Sequence, residues 1–421
     1  MFLSKKKKST QIISWSLYDF ANQPYTTLII TFIYSAFFLS YIAPNVDDGT
    51  FLWTNAIAIS AIFVALISPI LGAFADNSGY RKFFLIFFTI VCSIFTALLY
   101  FPEKGQVYFA LILVVISNIA FEMGTVFCNS YLKDLSTNKN VGKVSGFAWG
   151  LGFVGGLLAL LLVFIFLAEY PDDKPEVIKL MNIFVGLWFL IFSMPAFFFL
   201  KDKKRKKITK SNMLLSFQSL SHTFKEISQY KKILNFLVAR LFYNDGLVTI
   251  FVVGGIYAKG TLGFSIDEVV ILGVVLNVFA AIGSFLFGFL EDSIGVKKVI
   301  NISLIFLIIA TLLAFVAPMT NFPKAIFWIA GILIGTMVGP TQSCSRSYMS
   351  QLIPDDKKNE FFGFFAFTGK ATSFLGPLLF GLITKFHSQQ YGLLSVIVFF
   401  IIGLILFNRK QEIGAMETEV I

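Results

Sequence analysis

Glu122 interrupts a long apolar run, and Asn118, Thr125 and Asn129 interrupt it with it. At 100° per residue these four side chains fall within about 60° of one another, so a helix here carries one polar stripe on an otherwise oily surface. A carboxyl at membrane depth is costly and is expected to serve a purpose; held in a cavity, it can take up and release a proton. The residues 217 positions further on are Gly335, Gly339, Gln342 and Arg346, again one helical face. Arg346 keeps its charge under all ordinary conditions and presents a planar fork suited to a carboxylate or phosphate. One acidic and one basic stripe facing a shared cavity would bind an anionic solute and a proton; an ion pair between Glu122 and Arg346 that only fixes the fold is the competing reading.

Three further stretches put polar residues into apolar surroundings. In SWSLYDFANQPYTT, Asp19, Asn22 and Thr26 share helical spacing, and Pro24 frees a backbone carbonyl and permits a bend. ARLFYNDGLVT carries Asp245 followed by Gly246, which reads as a second interrupted helix at the matching place; Asp19 then corresponds to Asn244 or to Asp245. Lys370 lies about three turns into its helix, either as a second cation beside Arg346 or as the partner of Asp245 or Asp19. The expected solute-binding residues are therefore Asn22, Asn129, Gln342, Arg346 and Lys370, and the expected proton carriers Asp19, Glu122 and Asp245.

These residues need helices in a membrane to hold them. Of the 421 residues, 57% are hydrophobic and only 14% charged, which excludes an ordinary soluble globular protein. Twelve apolar runs, each near the length that spans the hydrocarbon layer, recur between short polar breaks. The basic segment Lys5 to Lys8 ahead of the first run resembles a signal peptide, but Asp19, Asn22 and Gln23 interrupt that run, which is kept as helix 1. The net charge of +10 comes from clusters at Lys5 to Lys8, Arg81 and Lys82, Lys201 to Lys207, Lys297 and Lys298, and Lys357 and Lys358. These fall on one side when twelve helices are counted. By the positive-inside rule both termini and the central loop are cytoplasmic, and the charge reflects topology, with no nucleic-acid partner expected. The three cysteines and two histidines have no ligand spacing, so neither disulfide, metal nor cofactor is expected.

The chain also repeats itself. GAFADNSGYRK from Gly72 and GFLEDSIGVKK from Gly288 align at a constant offset of 216, and NSYLKDL from Asn129 aligns with RSYMSQL from Arg346 at 217. Six helices (residues 1–200), a basic linker (201–232) and six more (233–421) form a duplicated bundle. In the linker, Met213, Phe217, Leu220, Phe224 and Ile227 fall on one helical face, as in an amphipathic helix lying on the inner leaflet. The repeated insertion follows the second helix of each half. Its Gly serves a tight turn, its Asp faces a helix N-terminus, and its Arg and Lys obey the positive-inside rule.

Two copies in matching places resemble the GxLaDrxGrk signature of the major facilitator superfamily. That resemblance implies an all-α membrane fold of twelve helices in two pseudo-symmetric six-helix bundles. It also implies a cytoplasmic gate at Asp76, Gly79 and Arg81, matched by Asp292 and Gly295, with Lys297 where a second Arg would stand. WSLYDFANQPY, FYNDG and TQSCSRSYMSQLIPDDKKNEFFGFFAFTGKATSFLGP are similar to the vacuole-effluxer-like branch, with Pro340 where a glycine is expected. The branch implies a permease for amino acids or similar small metabolites.

The expectation is thus a monomeric secondary transporter of a bacterial inner membrane, touching solute, protons and lipid, in which the halves rock about a midplane site. A facilitator-derived sensor or lipid-handling protein is the alternative. An intramembrane enzyme is disfavoured because no Ser and His pair or metal set is present, and no GxxxxGK[ST] loop supports ATP-driven pumping.

Overall fold

A computed structural model describes residues 2–170, 172–202 and 227–409. In hydrocarbon each backbone polar group must be satisfied within its own segment, which makes helices of the apolar runs. Among the described residues twelve helices are long and apolar enough to span: α1 (Lys8–Ile42), α2 (Asp48–Ser78), α3 (Arg81–Tyr100), α4 (Val107–Leu135), α5 (Val141–Glu169), α6 (Lys174–Phe199), α7 (Lys231–Gly260), α8 (Glu268–Ile294), α9 (Val296–Met319), α10 (Pro323–Leu352), α11 (Lys358–Phe386) and α12 (Gln389–Asn408). The expected amphipathic stretch from Met213 to Phe224 lies outside the described residues.

In the first bundle α1 packs on α5 and α6, and α4 on α2 and α3; in the second, α7 packs on α11 and α12, and α10 on α8 and α9. The bundles meet where α2 lies along α11 and α5 along α8, two contacts that exchange under the internal repeat. Small residues allow the approach. A methyl group on Gly72 would lie 2.3 Å from the Asn359 carbonyl oxygen, and one on Gly146 2.5 Å from that of Ser284. Many of the 52 phenylalanines point outward, Phe198 and Phe289 among them, as side chains bathed in lipid would.

Irregularities in α1 and α11 flank the polar residues. Pro24 offers no N–H to the Phe20 carbonyl, and the helix widens into π turns over Tyr25–Phe32. The Trp188 indole donates to that carbonyl at 3.3 Å. α11 breaks into Lys358–Lys370 and Leu375–Phe386, so Lys370 ends its first segment. The interruption expected at Asp245 and Gly246 is absent: Lys231–Gly260 is one continuous α-helix. Gly246 serves packing instead, with the Phe400 ring 2.9 Å from where its Cβ would be. A glycine inside a helix costs only about 1 kcal/mol, and such a contact outweighs it.

The repeated insertions are tight turns. Gly79 and Gly295 adopt φ of 73° and 92°, a region that side chains disfavour.

Candidate functional site

The bundles enclose a cavity of about 350 Å³ lined from both sides. The first bundle contributes Asp19 and Asn22 from α1 and Glu122, Thr125 and Asn129 from α4. The second contributes Arg240 and Asn244 from α7, Gln342 and Arg346 from α10 and Lys370 from α11. Three cations face two carboxylates, so the lining carries one net positive charge.

Arg346 does not pair with Glu122. Its Nη1 donates to Asp19 Oδ2 at 2.7 Å and to Asn129 Oδ1 at 3.2 Å. Its Nε donates to Ser145 Oγ at 3.1 Å, and Nη2 to the Ser145 carbonyl at 2.9 Å. All three nitrogens are engaged, and the guanidinium lies 4.7 Å from the Trp15 ring centre. The cause is reach: α10 carries Arg346 toward α1 and α5, where a carboxylate and a serine converge. An anion clamp at Arg346 is therefore already closed by the protein's own groups.

Glu122 is held instead by Lys370, Nζ to Oε1 at 2.6 Å. The expected partners of Lys370, Asp245 and Asp19, are not its partners here. The break after Lys370 ends its helix at the cavity, where its side chain stays a third exposed. Both ion pairs, Asp19 with Arg346 and Glu122 with Lys370, link the first bundle to the second.

Asp245 lies outside the cavity lining and is 1% exposed. Neither carboxylate oxygen has a hydrogen-bond partner of ordinary geometry among the described residues; the Gly376 amide of α11 is the polar group that faces it. Asn244 shares the cavity with Asp19. It donates to the Gly369 carbonyl at 3.1 Å and accepts from Gln342 at 3.3 Å. Asn118 leaves the polar stripe by donating to Ser60 on α2 at 2.6 Å. Gly335 and Gly339 pack on α8.

Sequence reasoning missed Arg240. Its Nη1 donates to the Phe365 carbonyl at 2.7 Å and to Thr368 at 3.3 Å, with the guanidinium stacked 3.6 Å from the Phe365 ring centre. The signal was present, because an arginine inside an apolar run four residues before Asn244 lies on the same helical face.

The end of the bundles that carries the basic loops is shut by a symmetric pair of contacts. Asp76 on α2 accepts from the Asn359 and Glu360 amides at 3.2 and 2.9 Å, at the N-terminus of α11. Asp292 on α8 accepts from the Gly142 and Lys143 amides at 2.9 and 3.1 Å, at the N-terminus of α5. Each carboxylate meets the positive end of a helix in the opposite bundle. Arg81 acts one step away: it binds Asp134 at 2.8 Å, and Asp134 in turn binds Lys358 of α11. In the second copy Gln351 stands at the place of Asp134, and Lys297 lies 5.8 Å from the Tyr348 ring, with no ion-pair partner among the described residues. The second turn thus keeps the aspartate contact without the arginine relay. Among the described residues no three His, Cys, Asp or Glu are grouped to hold a metal.

Residues 45–412 match the family model described as "Vacuole effluxer Atg22 like". The "Uncharacterized MFS-type transporter YxiO" of Bacillus subtilis is 29% identical over 416 residues, covering 97% of this chain and 96% of the relative. "Autophagy-related protein 22" of Kluyveromyces lactis is 25% identical over 405 residues, covering 87% and 82%. Among solved structures, the proton:xylose symporter XylE superposes with a TM-score of 0.74 at 15% identity, covering 95% of each chain. The human organic anion transporter MFSD10 gives 0.73 at 12% identity, covering 95% and 99%. At such identities the likeness is one of fold.

Proposed function

Because the chain belongs to the vacuole-effluxer Atg22-like family of the major facilitator superfamily and is a membrane transporter, we propose that it moves a small carboxylate-bearing solute, an amino acid or organic anion, together with a proton by alternating access. The observation that carries this reading is that both ion pairs in the cavity bridge the two bundles. A rocking pair of bundles needs contacts between them that can be exchanged, and one buried and one partly exposed ion pair across the cavity supply such contacts.

The exchange follows from the groups present. A proton on Glu122 cancels its attraction for Lys370 and leaves one more uncompensated positive charge in the cavity, which draws in the anionic end of a solute. Loss of the proton restores the pair and expels that end. Asn22, Asn129 and Gln342 supply neutral polar contacts. Asp19 and Arg346 form the inner bridge that gives way when the basic end opens, with Asp76 and Asp292 as its outer latches. With the basic end cytoplasmic, as the positive-inside rule implies, both termini lie in the cytoplasm and the state described here is shut toward the cytoplasm; the Bacillus subtilis relative supports a bacterial inner (plasma) membrane as the host.

Uptake into proteoliposomes tests this. Saturable flux of an amino acid or organic anion that responds to an imposed pH gradient is expected. A broad panel with no flux would contradict it and favour a sensor or lipid-handling protein built on the same fold.

A further inference from the structure

Arg240 differs from every other cation in the cavity in having no acidic partner at ion-pair distance among the described residues. Arg346 is paired with Asp19 and Lys370 with Glu122. Arg240 is 6% exposed, so it has given up nearly all its hydration, and in return Nη1 alone makes hydrogen bonds, to one carbonyl and one hydroxyl. Its Nε, sealed from solvent in this state, has no hydrogen-bond partner among the described residues. A buried guanidinium with an unused donor is costly unless something completes it. The Phe365 ring 3.6 Å below the guanidinium fixes the plane of the fork, and Arg240 lines the cavity.

Resting on the transport reading above, we infer that Arg240 receives the carboxylate of the solute, and that the residue singled out by its sequence pattern, Arg346, does not. A carboxylate is the matching ligand. The cavity lining has one positive charge in excess, which a carboxylate neutralises even before Glu122 takes up its proton. The planar fork binds the two oxygens of a carboxylate side by side. Asn244, four residues on along α7, adds a neutral donor on the same face. Lys370 then serves the proton exchange with Glu122, while Arg240 sets the requirement for an acid.

The test measures uptake into proteoliposomes for the common amino acids and short monocarboxylates, each beside its amide. Wild-type protein is expected to transport an acid in preference to its amide. Arg240→Lys keeps the charge and loses the fork; Arg240→Gln loses both. Each is expected to raise KM for the acid by about 10–100-fold with a smaller change in kcat, and to erase the preference over the amide. Asn244→Asp leaves Arg240 in place and gives it an internal carboxylate, so it is expected to raise KM in the same way even if Arg240 variants fail to fold. An unchanged KM for the acid in Arg240→Lys and Asn244→Asp would overturn the assignment while leaving transport intact. No flux in the wild type would overturn the transport reading, and the assignment with it.

Discussion

Arg346 donates to Asn129 at 3.2 Å, and Asn129 is the residue 217 positions earlier that fills the same place in the first bundle. Two copies of one position therefore meet across the interface between the duplicated halves. One copy became a cation and the other an amide, which leaves the charge to be met by Asp19. The relationship makes Asp19 and Arg346 a unit, and the consequences can be measured.

Removing one member of a buried pair strands the other. Asp19→Asn is expected to destabilise the protein by about 3–5 kcal/mol, seen as a lower thermal midpoint in detergent. Asp19→Asn combined with Arg346→Gln is expected to recover much of that loss. A double variant as unstable as the sum of the singles would show that the two residues do not act together.

Glu122→Gln removes the proton carrier and frees Lys370. Flux is expected to lose its response to an imposed pH gradient while downhill solute exchange persists. Wild-type pH dependence in this variant would remove Glu122 from the coupling role.

The latch aspartates each satisfy amides at a helix N-terminus of the opposite bundle. Asp76→Ala and Asp292→Ala are each expected to weaken the closed state by about 1–2 kcal/mol, a shift of roughly 5–30-fold in the ratio of closed to open molecules. Amide hydrogen exchange at Asn359 and Glu360, or at Gly142 and Lys143, should quicken by a comparable factor. Unchanged protection would deny them the latch role.

Gly363 lies against the backbone of α2, where an added methyl would stand 2.6 Å from the Ser68 carbonyl carbon and oxygen. No flexible side chain can move aside there. Gly363→Ala is expected to force α2 and α11 apart and to populate molecules open at the basic end, making a cysteine introduced near that end reactive toward a bulky thiol reagent. A label rate equal to that of the glycine protein would contradict this.

Much of this organisation was legible because it rests on local or periodic physics. Apolar run length marks the spans, a constant offset marks the duplication, and Gly79 and Gly295 mark turns that need positive φ. The helical face of Glu122, Thr125 and Asn129 was legible for the same reason, and all three line the cavity. The pairings were not. The offset relates residues within equivalent halves, whereas Asp19 with Arg346 and Glu122 with Lys370 depend on how the halves meet and how far each side chain reaches. Asp245 drew attention as a charge beside a glycine, the pattern of a broken helix, yet packing of Gly246 on Phe400 keeps α7 whole and turns the acid toward α11. The break lies instead after Lys370, in a stretch of small residues ahead of Pro377, which has no N–H to offer the Ser373 carbonyl and so ends the helical ladder there.

The central claim is that the bundles rock about a charged cavity whose bridges exchange. Spin labels placed in pairs across the basic end and across the opposite end, read by pulsed electron resonance in lipid, test it most directly. Two distance populations at each end, shifting reciprocally with pH or solute and strongly displaced by Gly363→Ala, are the predicted result. A single distance at both ends, unmoved by pH, by any solute in the transport panel or by that substitution, would contradict the account.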